Sequence, residues 1–437
     1  MTPPEQALAR ALPLPVSGLP APPRVPRPER YTLANGLRVV AARQAGLPQI
    51  VIRLVLPAGS AADPTGGAGT AALVGQLLTE GTAQLTAEEL NARLDLLGAS
   101  VEVDVGHDFA EVELFLLSET LDEALPLLAD LVVRPAFPAT EVERVRDELL
   151  DSLAARLDES ANVADDRTAA EVFGADHPYG RPALGTPDSV AELSVSALQA
   201  FHHAYYRPEG SLLVAAGDLN PRALAEQLER VLHDWRGAPE APLTSRDAEA
   251  MASGAETIIL PWKGALQSEI RIAGRGLPRN SADWIPAALA NYILGGSTIT
   301  GRLGANLREE KGWTYGARSS FVAALGAGGW VAETAVDVEV RDEALREMHR
   351  EIRRILDEPV GDAELRRAKD ALILSLPRAF ETPRRVVSRF VTLEAFGLPD
   401  EYWSRFPAAV EAVTAEEVML MARRYLDPAR LVSVLVG

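Results

Sequence analysis

The six histidines, His107, His177, His202, His203, His233 and His349, are the side chains of this chain best suited to hold a divalent metal or move a proton near neutral pH. A helix-borne metal pair needs imidazoles at i and i+4, which share one face and reach one ion. No two of the six stand at that spacing. His202 and His203 are adjacent on a predicted helix and point about 100° apart. Each is expected to be a surface or hydrogen-bonded histidine. Nucleophilic chemistry is as poorly supplied, for there is no cysteine, no G-x-S-x-G and no S-x-x-K. The run Gly66–Gly69 lacks G-K-[ST] and the full G-x-G-x-x-G pattern, and reads as a turn into a helix. There remains Arg308, seven residues ahead of Tyr315 in LREEKGWTYG. Taken alone, an arginine in the last turn of a helix is favoured there by the helix dipole, and a tyrosine on the following strand is ordinary filling.

The chain that must position these residues has 437 of them, too many for one ordinary domain. Apolar residues at 47% and charged residues at 24% are near the globular average, which excludes wholesale disorder. Without cysteine there is no disulfide framework, thiolate metal site or iron–sulfur cluster. A formal charge of −19 argues against nucleic acid and against an anionic membrane surface as partners. No apolar run approaches the length of a membrane span. Residues 1–28 are Pro-rich and read as an extended arm rather than an export signal, so a cytoplasmic location is favoured.

After the arm, strand-like runs alternate with helical patterns. Residues 37–42 and 50–56 are β-rich, and SVEVDV (100–105) and AEVELFLL (110–117) alternate as half-buried antiparallel strands do. Helices are expected over 69–80, 86–97, 119–132, 139–158, 162–173, 193–206 and 221–235, with a buried strand at 211–217. Residues 237–256, rich in Pro, Ala, Ser and Gly, form the expected linker. Beyond it the order recurs: strands at 257–260, 270–273, 314–323, 329–337 and 431–436, and helices at 281–294, 301–310, 341–357, 362–376, 383–395 and 413–425. LSVSALQAFHHAYYRPEGSLLVAAG (193–217) aligns without a gap on VTAEEVMLMARRYLDPARLVSVLVG (413–437), matching Tyr205 to Tyr425, Pro208 to Pro428, Val214 to Val434 and Gly217 to Gly437. The expectation is α+β, with two homologous domains of one fold over 29–236 and 257–437. Each would be a mostly antiparallel sheet with helices packed on it.

Two such halves, with LANGLRVV (33–40), LPAGSAADP (56–64), GTAALVGQLLTEGT (69–82), HPYGRPALGT (177–186) and LGGSTITGRLGANLREEKGWTYG (294–316), resemble the pitrilysin/insulinase family of zinc peptidases. The likeness is to its short bacterial and mitochondrial-processing branch. In that family the third landmark holds His-x-x-Glu-His, whose two imidazoles bind zinc and whose glutamate polarises the zinc-bound water, and a later helix adds a carboxylate ligand. Aligned on its Gly-Thr pairs, this chain puts Ala72 and Gln76 at the histidine positions and Gly75 at the glutamate. Ser152 falls at the ligand carboxylate, with Glu148 and Asp151 near enough that this register is open by a residue. The resemblance therefore implies no metal on this chain.

The resemblance also implies roles for Arg308 and Tyr315. In relatives an arginine and a tyrosine at this spacing reach toward the zinc site, the arginine holding a substrate carbonyl and the tyrosine hydroxyl donating to the oxyanion. The expectation is a non-catalytic, substrate-binding subunit, inactive alone. It would be half of a clamshell closed by a homologous zinc-bearing subunit around an extended peptide, with a homodimer possible when that partner is absent. The alternatives are a structural or assembly protein of the same fold, which has no need of Arg308 and Tyr315, and an independent hydrolase with an unrecognised metal site.

Overall fold

The computed structural model describes residues 25–240 and 255–437. Most of the expected arm and most of the expected linker lie outside the described residues. Strands β1 (Glu29–Thr32), β2 (Arg38–Arg43), β3 (Gln49–Leu56), β4 (Ser100–Val105), β5 (Ala110–Leu117) and β6 (Leu212–Gly217) form one sheet in the order β1-β2-β6-β3-β5-β4. Strands β7 (Thr257–Leu260), β8 (Gln267–Arg275), β9 (Ala317–Phe321), β10 (Gly329–Asp337) and β11 (Val432–Val436) form the other, in the order β7-β11-β8-β10-β9. Each sheet has one parallel pair, β2–β6 or β7–β11, and is otherwise antiparallel.

The two sheets share a register as well as an order. Ala216 lies opposite Val51 as Val436 lies opposite Glu269, and Arg53 lies opposite Glu113 as Arg271 lies opposite Glu333. The two halves are thus two copies of one fold, with β1 added to the first.

Five helices complete much of the first half: α1 (Thr70–Leu77), α2 (Ala87–Leu96), α3 (Leu121–Val133), α4 (Ala139–Leu157) and α5 (Ser160–Phe173). One face of the first sheet packs through Ile52, Leu54 and Leu114 against Leu73, Leu128 and Leu149 of α1, α3 and α4. Its other face is covered from the second half: Val40, Val51, Val214 and Ala216 pack with Val386, Val387, Phe390 and Val391 of the helix Pro383–Ala395. The exchange is mutual. Ala164 and Val172 of α5, in the first half, pack on Ala273, Val432, Val434 and Val436 of the second sheet. Strands β6 and β11 are therefore buried on both faces, which is why β6 reads as an unbroken apolar run and β11 as one interrupted only by Ser433.

A polar latch joins the halves at HPYG. The Tyr179 hydroxyl donates to Asp108 at 2.6 Å, and the other oxygen of Asp108 accepts from the backbone N–H of Leu325 at 2.9 Å.

Three elements depart from the expected pattern. Strand β1, with sequence ERYT, has no apolar alternation and forms by pairing with β2. The helix Tyr402–Ala412 carries Pro407 inside it and was not expected. Strand β9 starts at Ala317, so Tyr315 stands in the preceding loop rather than on a strand. Among the described residues no helix is long and apolar enough to cross a membrane.

Candidate functional site

Helix α1 is anchored at its start by Asp63. Its buried carboxylate accepts from the backbone N–H of Gly69 at 2.8 Å and of Ala71 at 2.7 Å, satisfying two of the helix's free donors. Burial pushes the pKa of Asp63 up to about 6, against the pull of those two donors. Every residue of α1 except Gln76 is buried, because the helix packs against the helix Val195–Tyr205, α4 and β4.

A cavity of about 410 Å³ opens where these elements meet, and Gly75, Gln76, Glu80, Glu148 and Ser152 are among its lining residues. Three of the four positions singled out from the sequence thus come to one place. Ala72 is buried behind them. Glu148 is engaged elsewhere: Nη1 of Arg144 donates to it at 2.8 Å and Nε to Glu141 at 2.8 Å, while Nη2 bonds Glu80. These three carboxylates raise the pKa of the Arg144 guanidinium. An arginine therefore draws together the acids at the cavity's rim.

The residues present do not fit the zinc ion that relatives of this pattern hold. A methyl group, a bare backbone and an amide offer no imidazole or carboxylate donor. A Cβ placed on Gly75 would meet Cγ2 of Val105 at 2.5 Å, so even the general-base glutamate could enter only if Val105 moved. Among the described residues no three His, Asp or Glu side chains gather as a metal-holding group.

Arg308 lies in the last turn of a π-helical segment, Ala305–Glu310, with its Nε 3.3 Å from Glu309. Gly312, at φ 68°, turns the chain. Tyr315 then projects with 94% of its surface exposed. Its loop is nonetheless pinned. Thr314 Oγ1 donates to the Gly316 carbonyl at 3.0 Å and accepts from the Gly316 N–H at 3.1 Å, and Thr334 donates to Thr314 at 3.0 Å. Neither Arg308 nor Tyr315 lines the α1 cavity. Within one chain the two elements are not brought together.

The neighbours of this loop are structural. Arg302 makes a bidentate pair with Glu364 at 2.9 and 2.8 Å. Asn291 is a hub that sequence reading missed: it donates to the Ser319 carbonyl and accepts from Ser319 Oγ and Trp330 Nε1, tying a helix to β9 and β10. Its only signal was an amide inside an apolar helix. Most of the histidines are occupied in hydrogen bonds. His107 bonds Ser60, His177 caps Tyr179, His202 donates to the Val132 carbonyl at 2.8 Å and His349 bonds Ser433.

Comparison with known proteins agrees with this architecture. Residues 38–186 match the model of the insulinase family (peptidase family M16), and residues 192–372 match that of the peptidase M16 inactive domain. An uncharacterized zinc protease of Mycobacterium tuberculosis is 26% identical over 404 residues, covering 92% of this chain and 91% of the relative. The crystal structure of a peptidase M16 inactive domain from Pseudomonas fluorescens superposes with a TM-score of 0.87 at 24% identity, covering 94% of this chain and 98% of that one. A protease from Helicobacter pylori superposes with a TM-score of 0.88 at 16% identity, covering 94% and 100%.

Proposed function

This chain belongs to the insulinase (M16) family of peptidases, and we propose that within it the protein is the non-catalytic, substrate-binding subunit of a heterodimeric zinc peptidase. The observation that carries the reading is the 94% exposure of Tyr315 on a pinned loop, away from the α1 cavity of its own chain. A hydroxyl so held is available to a reacting group supplied from outside this chain. The partner's zinc would supply the activated water. Tyr315 donates a hydrogen bond to the oxyanion as the tetrahedral intermediate forms, and Arg308 holds a neighbouring peptide carbonyl. Strand β4 pairs with β5 on one side only, and an extended peptide adds to its free edge beside the α1 cavity. Substrates are peptides and unfolded segments.

The test mixes the purified chain with a family member that carries His-x-x-Glu-His and follows peptide hydrolysis. Each chain alone is expected to be slow and the pair fast. Tyr315→Phe is expected to lower turnover by roughly 10²–10³, the cost of one oxyanion donor. Arg308→Ala is expected chiefly to raise KM. A stable pair whose turnover ignores both substitutions would instead assign the chain an assembly role.

A further inference from the structure

A second cavity, of about 600 Å³, lies wholly within the second half and shares no residue with the α1 cavity. Its size is that of a small-molecule site, roughly 300–1,000 Å³. The rings of Trp284, Tyr402, Trp403 and Phe406 help to wall it, and four arginines reach it: Arg279, Arg378, Arg385 and Arg389.

Arg279 is only 6% exposed. Its guanidinium carbon lies 4.7 Å from the ring centre of Trp284 and 5.1 Å from that of Tyr402, and its Nη2 donates to the Tyr402 hydroxyl at 3.2 Å. Its Nη1 is buried without a hydrogen-bond partner, and so is Nε of Arg389. Arg389 lies over Trp403 at 5.3 Å. Among the described residues no carboxylate pairs with Arg279 or Arg389, and Arg385 has only the exposed Glu381 at 3.5 Å. Burial, with Arg279 and Arg385 as neighbours, depresses the pKa of Arg389. In a chain of formal charge −19, two buried guanidinium groups, Arg279 and Arg389, stand here side by side without a carboxylate among the described residues. Ring faces attract a guanidinium but do not replace an anion, and donors left unmade in a dry site are costly.

We propose that this cavity binds an organic anion whose carboxylate or phosphate is held by Arg279, Arg385 and Arg389 and whose flat apolar body lies along Trp284, Tyr402 and Trp403. The proposal is independent of the peptidase reading and uses none of its residues. Arg385 and Arg389 sit on the helix Pro383–Ala395, whose Val386, Val387 and Phe390 cover the first sheet. Ligand binding therefore also stabilises the contact between the halves.

The full chain, at an ionic strength of about 0.15 M to screen weak surface binding, is titrated by calorimetry. The probes are 3-phenylpropionate, phenyl phosphate, the neutral 3-phenylpropionamide and inorganic phosphate. At least one aryl anion is expected to bind one-to-one and raise the melting temperature, about tenfold or more tighter than the amide. Preference for the carboxylate or for the phosphoester then assigns the natural headgroup. Arg389→Gln is expected to weaken binding about tenfold or more. Arg279 is packed between rings, so half-exposed Arg385→Gln is the second variant, with a smaller loss in the same direction. The proposal is overturned if no aryl anion saturates, if the amide binds as tightly, or if both variants bind like the wild type. It is also overturned if inorganic phosphate alone matches phenyl phosphate, since the aromatic wall would then have no part.

Discussion

The same cross-strand pair sits at the same register in both sheets, and the helix that crosses each sheet brings it a charge of opposite sign. In the first sheet Arg53 on β3 bonds Glu113 on β5, with Nε at 2.9 Å, and the crossing helix brings a cation: Arg384 lies 2.7 Å from Glu113. In the second, Arg271 on β8 faces Glu333 on β10 at 3.6 Å, and α5 brings an anion: Asp165 lies 2.7 Å from Arg271. The difference follows burial. In the first sheet the glutamate is the drier member, 7% exposed against 17% for Arg53. In the second it is the arginine, 6% against 23% for Glu333. The third charge thus answers whichever member has lost more water, as desolvation cost requires. Two copies of one fold have kept the pair and inverted its compensation.

The largest expected effect comes from removing the drier member itself in the second half. Arg271→Met strips Asp165 and Glu269 of their arginine and leaves Glu333 to Arg318 alone, and is expected to cost about 3–5 kcal/mol in denaturant unfolding. Arg53→Met frees Glu111 but leaves Glu113 still paired with Arg384, and is expected to cost less, about 1–3 kcal/mol. Equal losses would mean that the third charge compensates nothing.

Acidification sharpens the comparison from another side. His202 of the first half aligns with Ala422 of the second. Burial lowers the His202 pKa from 6.5 to about 4. Its folded-state pKa is thus below the unfolded one. Its stabilising share is full above 6.5 and is lost as the pH falls toward 4, about 3 kcal/mol in all. Asp63 opposes it. Its pKa is raised to about 6, so its share grows as the pH falls from 6 toward 3.8. The two slopes nearly cancel, so the measurement compares variants: His202→Ala, which copies the second half, is expected to gain about 3 kcal/mol on the wild type as the pH falls from 6.5 to 4, leaving a profile that rises toward acid.

The smallest effects belong to the third charges themselves. Arg384 and Asp165 are half exposed, and Arg384→Ala or Asp165→Ala is expected to cost about 1 kcal/mol or less. Reversing either sign should cost more than the alanine does, if the rule drawn from burial holds.

Much of the fold was legible because its signals are local. The alternation in SVEVDV and AEVELFLL locates β4 and β5, and the ungapped match of 193–217 to 413–437 marks the repeat. The reciprocal cover was not legible. The apolar faces of α5 and of Pro383–Ala395 announce burial but not against which sheet, so Arg53 and Arg271 looked like ordinary polar positions of half-buried strands. The α1 cavity could be read because Gly75 and Gln76 are neighbours in sequence and the resemblance brings the downstream helix to Ser152 within a residue. The arginine cavity could not, since Arg279 and Arg389 are far apart in the chain and each looks like surface charge. Tyr315 was expected on a strand. The hydrogen bonds of Thr314 with Gly316 and Thr334, which hold it in a loop, leave no periodic trace.

Because each sheet borrows its outer cover from the opposite half, the order of synthesis matters. The first half is finished at about residue 236, but the helix that shields its sheet ends at Ala395, about 160 residues later. At ribosomal rates of about 5–20 residues per second, that sheet waits on the order of ten seconds or more with Val40, Val51 and Val214 uncovered. The nascent chain thus carries an uncovered apolar sheet face until the C-terminal segment emerges.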